Sequence, residues 1–388
     1  MLNLKETDKK YVANTYARFD IEIVSGKGSR VFDDKGNEYI DLGTGIAVNT
    51  FGVCDEEWMS AVTEQINKFQ HTSNLYYSSP CARLAELLCK RTGASRVFFG
   101  NSGAEANECA IKTARKWAND TKGEAEWNVI TLNNSFHGRT ITTLKATGQD
   151  VFHKDFGPFP EGFLYAEAND TEALAEIIKN NNCCALMMEP VQGEGGVLPL
   201  SKKFVRDAAK LCEENGMLLI FDEVQTGNGR CGTLYAYEQF DVTPDIVTTA
   251  KGLGGGLPIG AALLFDKVKD TLGPGSHGST FGGNPIAAAG ALSIISRIDD
   301  ELLASVCEKS KYITTALSGA PGIKSVSGLG LMLGIETERD VNAVLAECIS
   351  RGILPIKAKN KLRLLPALNI PMEDVIKAVD IIKEVCKK

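Results

Sequence analysis

A carboxylate and an amine stand at the ends of two apolar runs. Met217 to Phe221 is uninterrupted apolar sequence ending on Asp222 and Glu223, and Ile246 to Ala250 ends on Lys251, followed by Gly252 and by Gly254 to Gly256. Apolar runs of this length without alternation predict strands buried on both faces of a parallel sheet. Ligands of open α/β sheets bind outside the carboxyl ends of the strands, so Asp222 and Lys251 can face one ligand there. Pyridoxal phosphate would use both, since its aldehyde takes a lysine amine and its ring nitrogen needs a buried carboxylate to stay protonated. A structural Asp–Lys ion pair at the sheet rim fits the same residues. The stretch alone does not choose between them.

Four further segments carry polar residues, three of them where strands end. Gly100-Asn101-Ser102-Gly103-Ala104-Glu105 leads from a predicted strand into a predicted helix, so the backbone N–H groups there and the Ser102 hydroxyl suit a phosphate; a plain capped helix reads the same way. Neither a GxxxxGK nor a GxGxxG fingerprint is present. In Phe136-His137-Gly138-Arg139-Thr140, the ring can stack on a cofactor or pack in the core, and Arg139 can grip a carboxylate or lie solvated. Nothing near His137 has metal-ligand spacing, so no metal site is expected. Glu189-Pro190-Val191-Gln192-Gly193-Glu194-Gly195-Gly196 lets the chain pass close to a ligand, with Glu194 in the turn. The polar, glycine-rich strip from Gly275 to Pro285 predicts a binding loop or an interface.

The elements that must position these residues alternate. Strands are expected at Arg96 to Phe99, Trp127 to Leu132 and Cys184 to Met188, and helices at Ala104 to Trp117, Glu172 to Lys179 and Lys202 to Glu214. That alternation predicts a large, mainly parallel sheet covered by helices, over residues 50–275. Residues 1–49, with short antiparallel strands at Ile21 to Val24 and Arg30 to Leu42, form an N-terminal segment joining a small lobe. Residues 276–388 supply the loop, one long helical stretch from Ala287 to Ala316, and a smaller α+β domain.

At 388 residues, 44% hydrophobic and 23% charged, the chain has the composition of an ordinary globular protein. A net charge of -7 without any Lys/Arg block argues against a nucleic-acid face or an anionic membrane partner. Eleven cysteines without a CxxC pair point to reduced thiols rather than a disulfide framework. The start lacks an apolar core of signal-peptide length and no run reaches transmembrane length, so a cytoplasmic protein is expected.

Taken together, NSGAEANE, FHGRT, EPVQGEGG, FDEVQTGNGR, TTAKGLGGGLPIGA and HGSTFGGNP resemble the class III aminotransferases, pyridoxal phosphate enzymes of fold type I. The likeness covers nearly the whole chain. It implies that Lys251 holds the cofactor covalently, that Asp222 pairs with its ring nitrogen, and that Ser102, Gly103 and Ala104 cradle its phosphate. Phe136 would stack on the ring, with His137 beside it, and Gln225 would sit by the phenolic oxygen. Thr280, next to Ser279, matches a position that reaches the phosphate of the other subunit, which implies a homodimer with shared sites. NTYARFDI, GTGIAVN and LRLLPALNI carry a narrower likeness to the N-acetylornithine aminotransferases. That likeness implies amine transfer from N-acetylornithine to 2-oxoglutarate, with Tyr16 and Ser279 near the substrate, Arg139 and Arg363 on carboxylates, and Glu194 covering Arg363 when it is unused. The rival amines are succinylornithine, succinyldiaminopimelate, ornithine and 4-aminobutyrate; a glutamate semialdehyde aminomutase is a further alternative. Gly45 stands where ornithine aminotransferases usually hold an aromatic. After Asn49 the sequence departs from its relatives, reading TFGVCDEEW in place of a GHxHP-like turn.

Overall fold

The computed structural model describes residues 3–125 and 127–387. Its largest sheet has the strand order Arg96–Gly100, Gly260–Leu264, Ile246–Thr249, Leu218–Asp222, Cys183–Met188, Asn128–Leu132, Phe163–Ala166. Gly260–Leu264 runs antiparallel to both neighbours, and the remaining pairings are parallel.

The unbroken apolar runs follow from helices on both faces. Leu218 and Ile220 pack in the same core as Ile111 and Ala114 of the helix Gly103–Lys122, whereas Leu219 and Phe221 pack with Phe204 and Ala208 of the helix Lys202–Glu214. Alternate residues of a strand point to opposite faces, so a strand covered twice has no polar side. Burying each such side chain contributes about 1.5–3 kcal/mol. The same parity decides the fate of the two acids that follow. Asp222 falls on the face of the helix Gly103–Lys122, and Glu223 on the other.

A second core gathers the C-terminal residues. Strands Ile323–Leu329, Met332–Thr337, Lys361–Leu364 and Ile356–Ala358 form an antiparallel sheet, in that order. Ile353–Leu354 pairs in parallel with Glu38–Asp41, and Ile40 and Leu42 join the core of Leu333, Leu362 and Ile382. The two cores are clasped by Arg230, which is 3% exposed. Its Nη1 donates to the carbonyls of Leu331, at 3.2 Å, and Pro366, while its own carbonyl accepts from Leu331 N at 2.9 Å. Burial pushes the Arg230 guanidinium down to about 10.

One expected element differs. The helical stretch from Ala287 to Ala316 is two helices, Pro285–Ser296 and Asp300–Leu317. Asp299 starts the second by accepting from Leu302 N at 2.9 Å, so a cap interrupts an apolar pattern that otherwise runs through. Among the described residues, no helix is long and apolar enough to cross a membrane, and all eleven cysteines are free.

Candidate active site

The carboxyl ends of the central strands open on a cavity of about 650 Å³, lined by residues that include Ser102, Phe136, His137, Asp222, Gln225 and Lys251. Asp222 sits opposite Thr248 in the parallel pair of strands, and the amine lies three residues beyond Thr248. The acid and the amine therefore enter one cavity from adjacent strands.

Asp222 is held on every side. Its Oδ2 accepts from Asn107 Nδ2 at 2.8 Å and pairs with His137 Nδ1 at 2.7 Å, and its Oδ1 accepts from Val224 N at 3.0 Å. Asn107 is fixed in turn, donating to the His137 carbonyl at 2.7 Å and accepting from Thr248 Oγ1 at 2.6 Å. Burial would lower the His137 pKa, but its hydrogen bond to Asp222 and the charges of Asp222 and Glu189 raise it above the ordinary value. His137 Nε2 is buried with no partner.

Lys251 carries a φ of 45°, a region that side-chain-bearing residues seldom adopt and that clusters at functional sites. Its neighbours pin that conformation. Asn228 Nδ2 donates to the Ala250 carbonyl at 3.2 Å, and Thr50 Oγ1 donates to the Gly252 carbonyl at 2.7 Å. Trp58 Nε1 donates to the Gly254 carbonyl at 3.0 Å. That last contact gives TFGVCDEEW a physical role. Asp55 in this stretch caps the helix Glu56–Ile66 through Trp58 N at 2.9 Å and grips Arg297 at 2.7 Å, which seats Trp58 against the glycine loop after Lys251. Burial lowers the pKa of the Lys251 amine, against the opposing pull of the Glu194 and Asp222 charges. Its Nζ makes no hydrogen bond among the described residues.

Ser102 caps the helix Gly103–Lys122, its Oγ accepting from Glu105 N at 3.2 Å, so its hydroxyl hydrogen remains free to donate. The Gly103 and Ala104 N–H groups belong to the first turn, where a helix has no acceptors of its own. A Cβ at Gly103 would lie 2.7 Å from Val224 Cγ1, so only glycine lets this turn approach the strand end. Glu189, at the end of the strand Cys183–Met188, holds the far wall through Phe136 N at 2.9 Å and Gly193 N at 3.3 Å. Burial, with the Asp222 charge beside it, pushes the Glu189 carboxyl up to about 7.

The two arginines differ. Arg363 is 2% exposed and donates from Nη1 to Glu194 Oε1 at 2.6 Å and to Gln225 Oε1 at 3.0 Å. Burial pushes the Glu194 carboxyl up, but the charge and hydrogen bond of Arg363 outweigh it and hold it below the usual range. Arg139 is exposed, and among the described residues it has no ion pair; its guanidinium lies over the rings of Phe152 and Phe136.

Three candidates lie elsewhere in the single chain. Tyr16 is 71% exposed in the N-terminal segment, against Arg18. Ser279 accepts from Asn101 Nδ2 and Gly282 N, both at 3.0 Å, and Thr280 beside it is exposed. None of the three lines the cavity, and Glu194 and Arg363 meet it only through Gln225, which does. Gly45 lies in a left-handed turn of Thr44 to Ala47 and is also outside the lining. The sequence assigns no role to Asn107 or Phe152, and none to Glu189 beyond opening a strand-end segment. Glu189 ends a buried strand as Asp222 does, which is the signal that could have found it.

These residues fit pyridoxal phosphate. The Lys251 amine, without a hydrogen-bond partner among the described residues, the Asp222 carboxylate, held by Asn107, His137 and Val224 N, and the first-turn N–H groups of Gly103 and Ala104 meet at one cavity, and none of these three satisfies another. The chain matches the family model described as Aminotransferase class-III over residues 11–386. It is 49% identical to the acetylornithine aminotransferase of Haemophilus ducreyi, over 98% of both chains. The ornithine aminotransferase structure from Toxoplasma gondii superimposes with a TM-score of 0.95 at 35% identity, covering 98% of this chain and 94% of that one. The N-acetylornithine aminotransferase structure from Stenotrophomonas maltophilia does so with a TM-score of 0.85 at 37% identity, over 98% of both chains. The chain belongs to the class III aminotransferases, pyridoxal phosphate enzymes of fold type I.

Proposed function

We propose that the protein moves the distal amine of N-acetyl-L-ornithine to 2-oxoglutarate, giving N-acetyl-L-glutamate 5-semialdehyde and L-glutamate. The observation that carries this reading is the contrast between a covered Arg363 and an open Arg139. A site with one available guanidinium suits an amine donor with one carboxylate. The amines for which similar proteins are named, acetylornithine and ornithine, fit that description.

Bound pyridoxal phosphate supplies an aldehyde that takes up amines and a ring that draws electrons from the reacting carbon. Ser102, Gly103 and Ala104 would hold its phosphate, Asp222 its ring nitrogen, Phe136 a ring face, with His137 behind Asp222 and Gln225 near the phenolic oxygen. Lys251 moves the proton at the substrate's amine-bearing carbon, a task that requires a neutral amine and is helped by its lowered pKa. Arg139 binds the α-carboxylate of acetylornithine while Glu194 neutralises Arg363. Glutamate brings a second carboxylate, which displaces Glu194 and takes Arg363.

A homodimer belongs to the same reading. Leu75 is 85% and Phe281 58% exposed, with His71 packed 5.3 Å from the Phe281 ring, so an apolar patch surrounds the segment bearing Ser279 and Thr280. A partner covering that patch would bring Thr280 toward its phosphate. Free thiols throughout suit a reducing, cytoplasmic setting.

The test is the absorbance of the purified holoenzyme with N-acetylornithine and no keto acid. Loss of the cofactor's visible band is expected. A band that persists, but is lost with ornithine, succinylornithine or 4-aminobutyrate, would discard the substrate and keep the class. Dual specificity has its own test in Glu194→Ala. With Arg363 uncovered, acetylornithine leaves a buried charge unpaired and glutamate no longer displaces an acid, so the activity ratio should shift toward glutamate by about tenfold, or ~1.4 kcal/mol. An unchanged ratio would remove the switch.

A further inference from the structure

We propose that Phe152 is a positioning residue for the substrate carboxylate, acting through Arg139. The proposal deepens the assignment of Arg139 as the carboxylate grip and rests on it. The Arg139 guanidinium carbon lies 4.4 Å from the centroid of the Phe152 ring and 5.4 Å from that of Phe136. The two rings meet edge to face, 5.5 Å apart at 71°. Among the described residues, these faces are the only partners of the guanidinium, which has neither an acidic clamp nor a hydrogen bond.

That choice of partner has a chemical consequence. An aspartate holding Arg139 would occupy the N–H groups that a substrate carboxylate needs, and would compete with it. An aromatic face attracts the cation through its ring electrons and leaves all five in-plane donors free. Phe136 already faces the cavity, whereas Phe152 is outside its lining and is the nearer ring. The segment bearing Phe152 is fixed from several sides. Gln149 Nε2 donates to the Ser135 carbonyl at 3.0 Å, Gly148 N to Ser135 Oγ at 3.0 Å, and His153 Nε2 bonds the Leu144 carbonyl at 2.9 Å. The ring is therefore in place before a ligand arrives, and a long flexible arginine is aimed without being consumed.

The experiment compares Phe152→Leu and Phe152→Trp with Arg139→Ala as holoenzymes. Leucine keeps apolar volume without a ring face, and tryptophan keeps the face. Phe152→Leu should raise KM for N-acetylornithine about 3- to 30-fold, with kcat within about twofold and the cofactor band unmoved. Phe152→Trp should restore KM. N-Acetylputrescine, which lacks the α-carboxylate, should show no such rise with Phe152→Leu. If Arg139→Ala raises KM and Phe152→Leu does not, the inference fails while the grip stands. If Arg139→Ala leaves KM unmoved, both fall. If Phe152→Leu shifts the cofactor band, or weakens N-acetylputrescine as much as N-acetylornithine, the residue acts through Phe136 and the inference is overturned.

Discussion

Lys251→Ala is expected to lower turnover by at least about 10⁴-fold while leaving some cofactor bound noncovalently. The amine sits at the end of a buried strand, in a left-handed conformation held by Asn228 and Thr50, and its charge is disfavoured by burial. Among the described residues, no other lysine lines the cavity to replace it. The phosphate turn, Asp222 and the wall built on Glu189 do not depend on Lys251, so the variant should still take up cofactor and release it on dialysis. Borohydride reduction followed by peptide mass spectrometry should fix the cofactor on Lys251 in the wild type and nowhere in the variant. Turnover near the wild-type rate would take Lys251 out of the mechanism.

The strand-end residues were legible because a buried strand cannot carry charge until it leaves the sheet. The apolar runs before Asp222 and Lys251 therefore mark both the strand and the place where chemistry begins. The direction of Gly260–Leu264 was not legible, since no local signal in an apolar segment says whether its neighbours run with it or against it. Asp299 carries a legible signal: an acid before Asp300 and Glu301 is a helix start, even where apolar periodicity continues. Distance in sequence hid the rest. Arg230 finds Pro366 and Asn107 finds Asp222 only once the strands are assembled. Tyr16, packed against Arg18, and Thr280 lie outside the cavity lining in the single chain, so neither is tied to the site by a contact within it.

Asp222 and Glu223 make the sharpest contrast, because they are adjacent acids at one strand end with opposite expected roles. Strand parity turns Asp222 toward Asn107 and His137 and the cavity, while Glu223 turns to the opposite face. There, Glu223 accepts from Tyr237 N at 2.7 Å and from Thr226 Oγ1 at 2.5 Å, and burial pushes its carboxyl up to about 7. Glu223→Gln keeps an acceptor for Tyr237 and offers Thr226 a donor, so kcat should stay within about twofold of wild type. Asp222→Asn has no such accommodation. Its amide must point at Val224 N or at the donors Asn107 and His137, so one donor faces another in either flip. The neutral side chain also cannot hold a proton on the cofactor's ring nitrogen. By analogy with the loss of one preorganised electrostatic contact, kcat should fall on the order of 10²- to 10³-fold. Steady-state kinetics of the two variants, with the cofactor saturating, decide the matter. A loss under tenfold in Asp222→Asn, or an equal loss in Glu223→Gln, would mean that the acid at the strand end serves the fold rather than the ring.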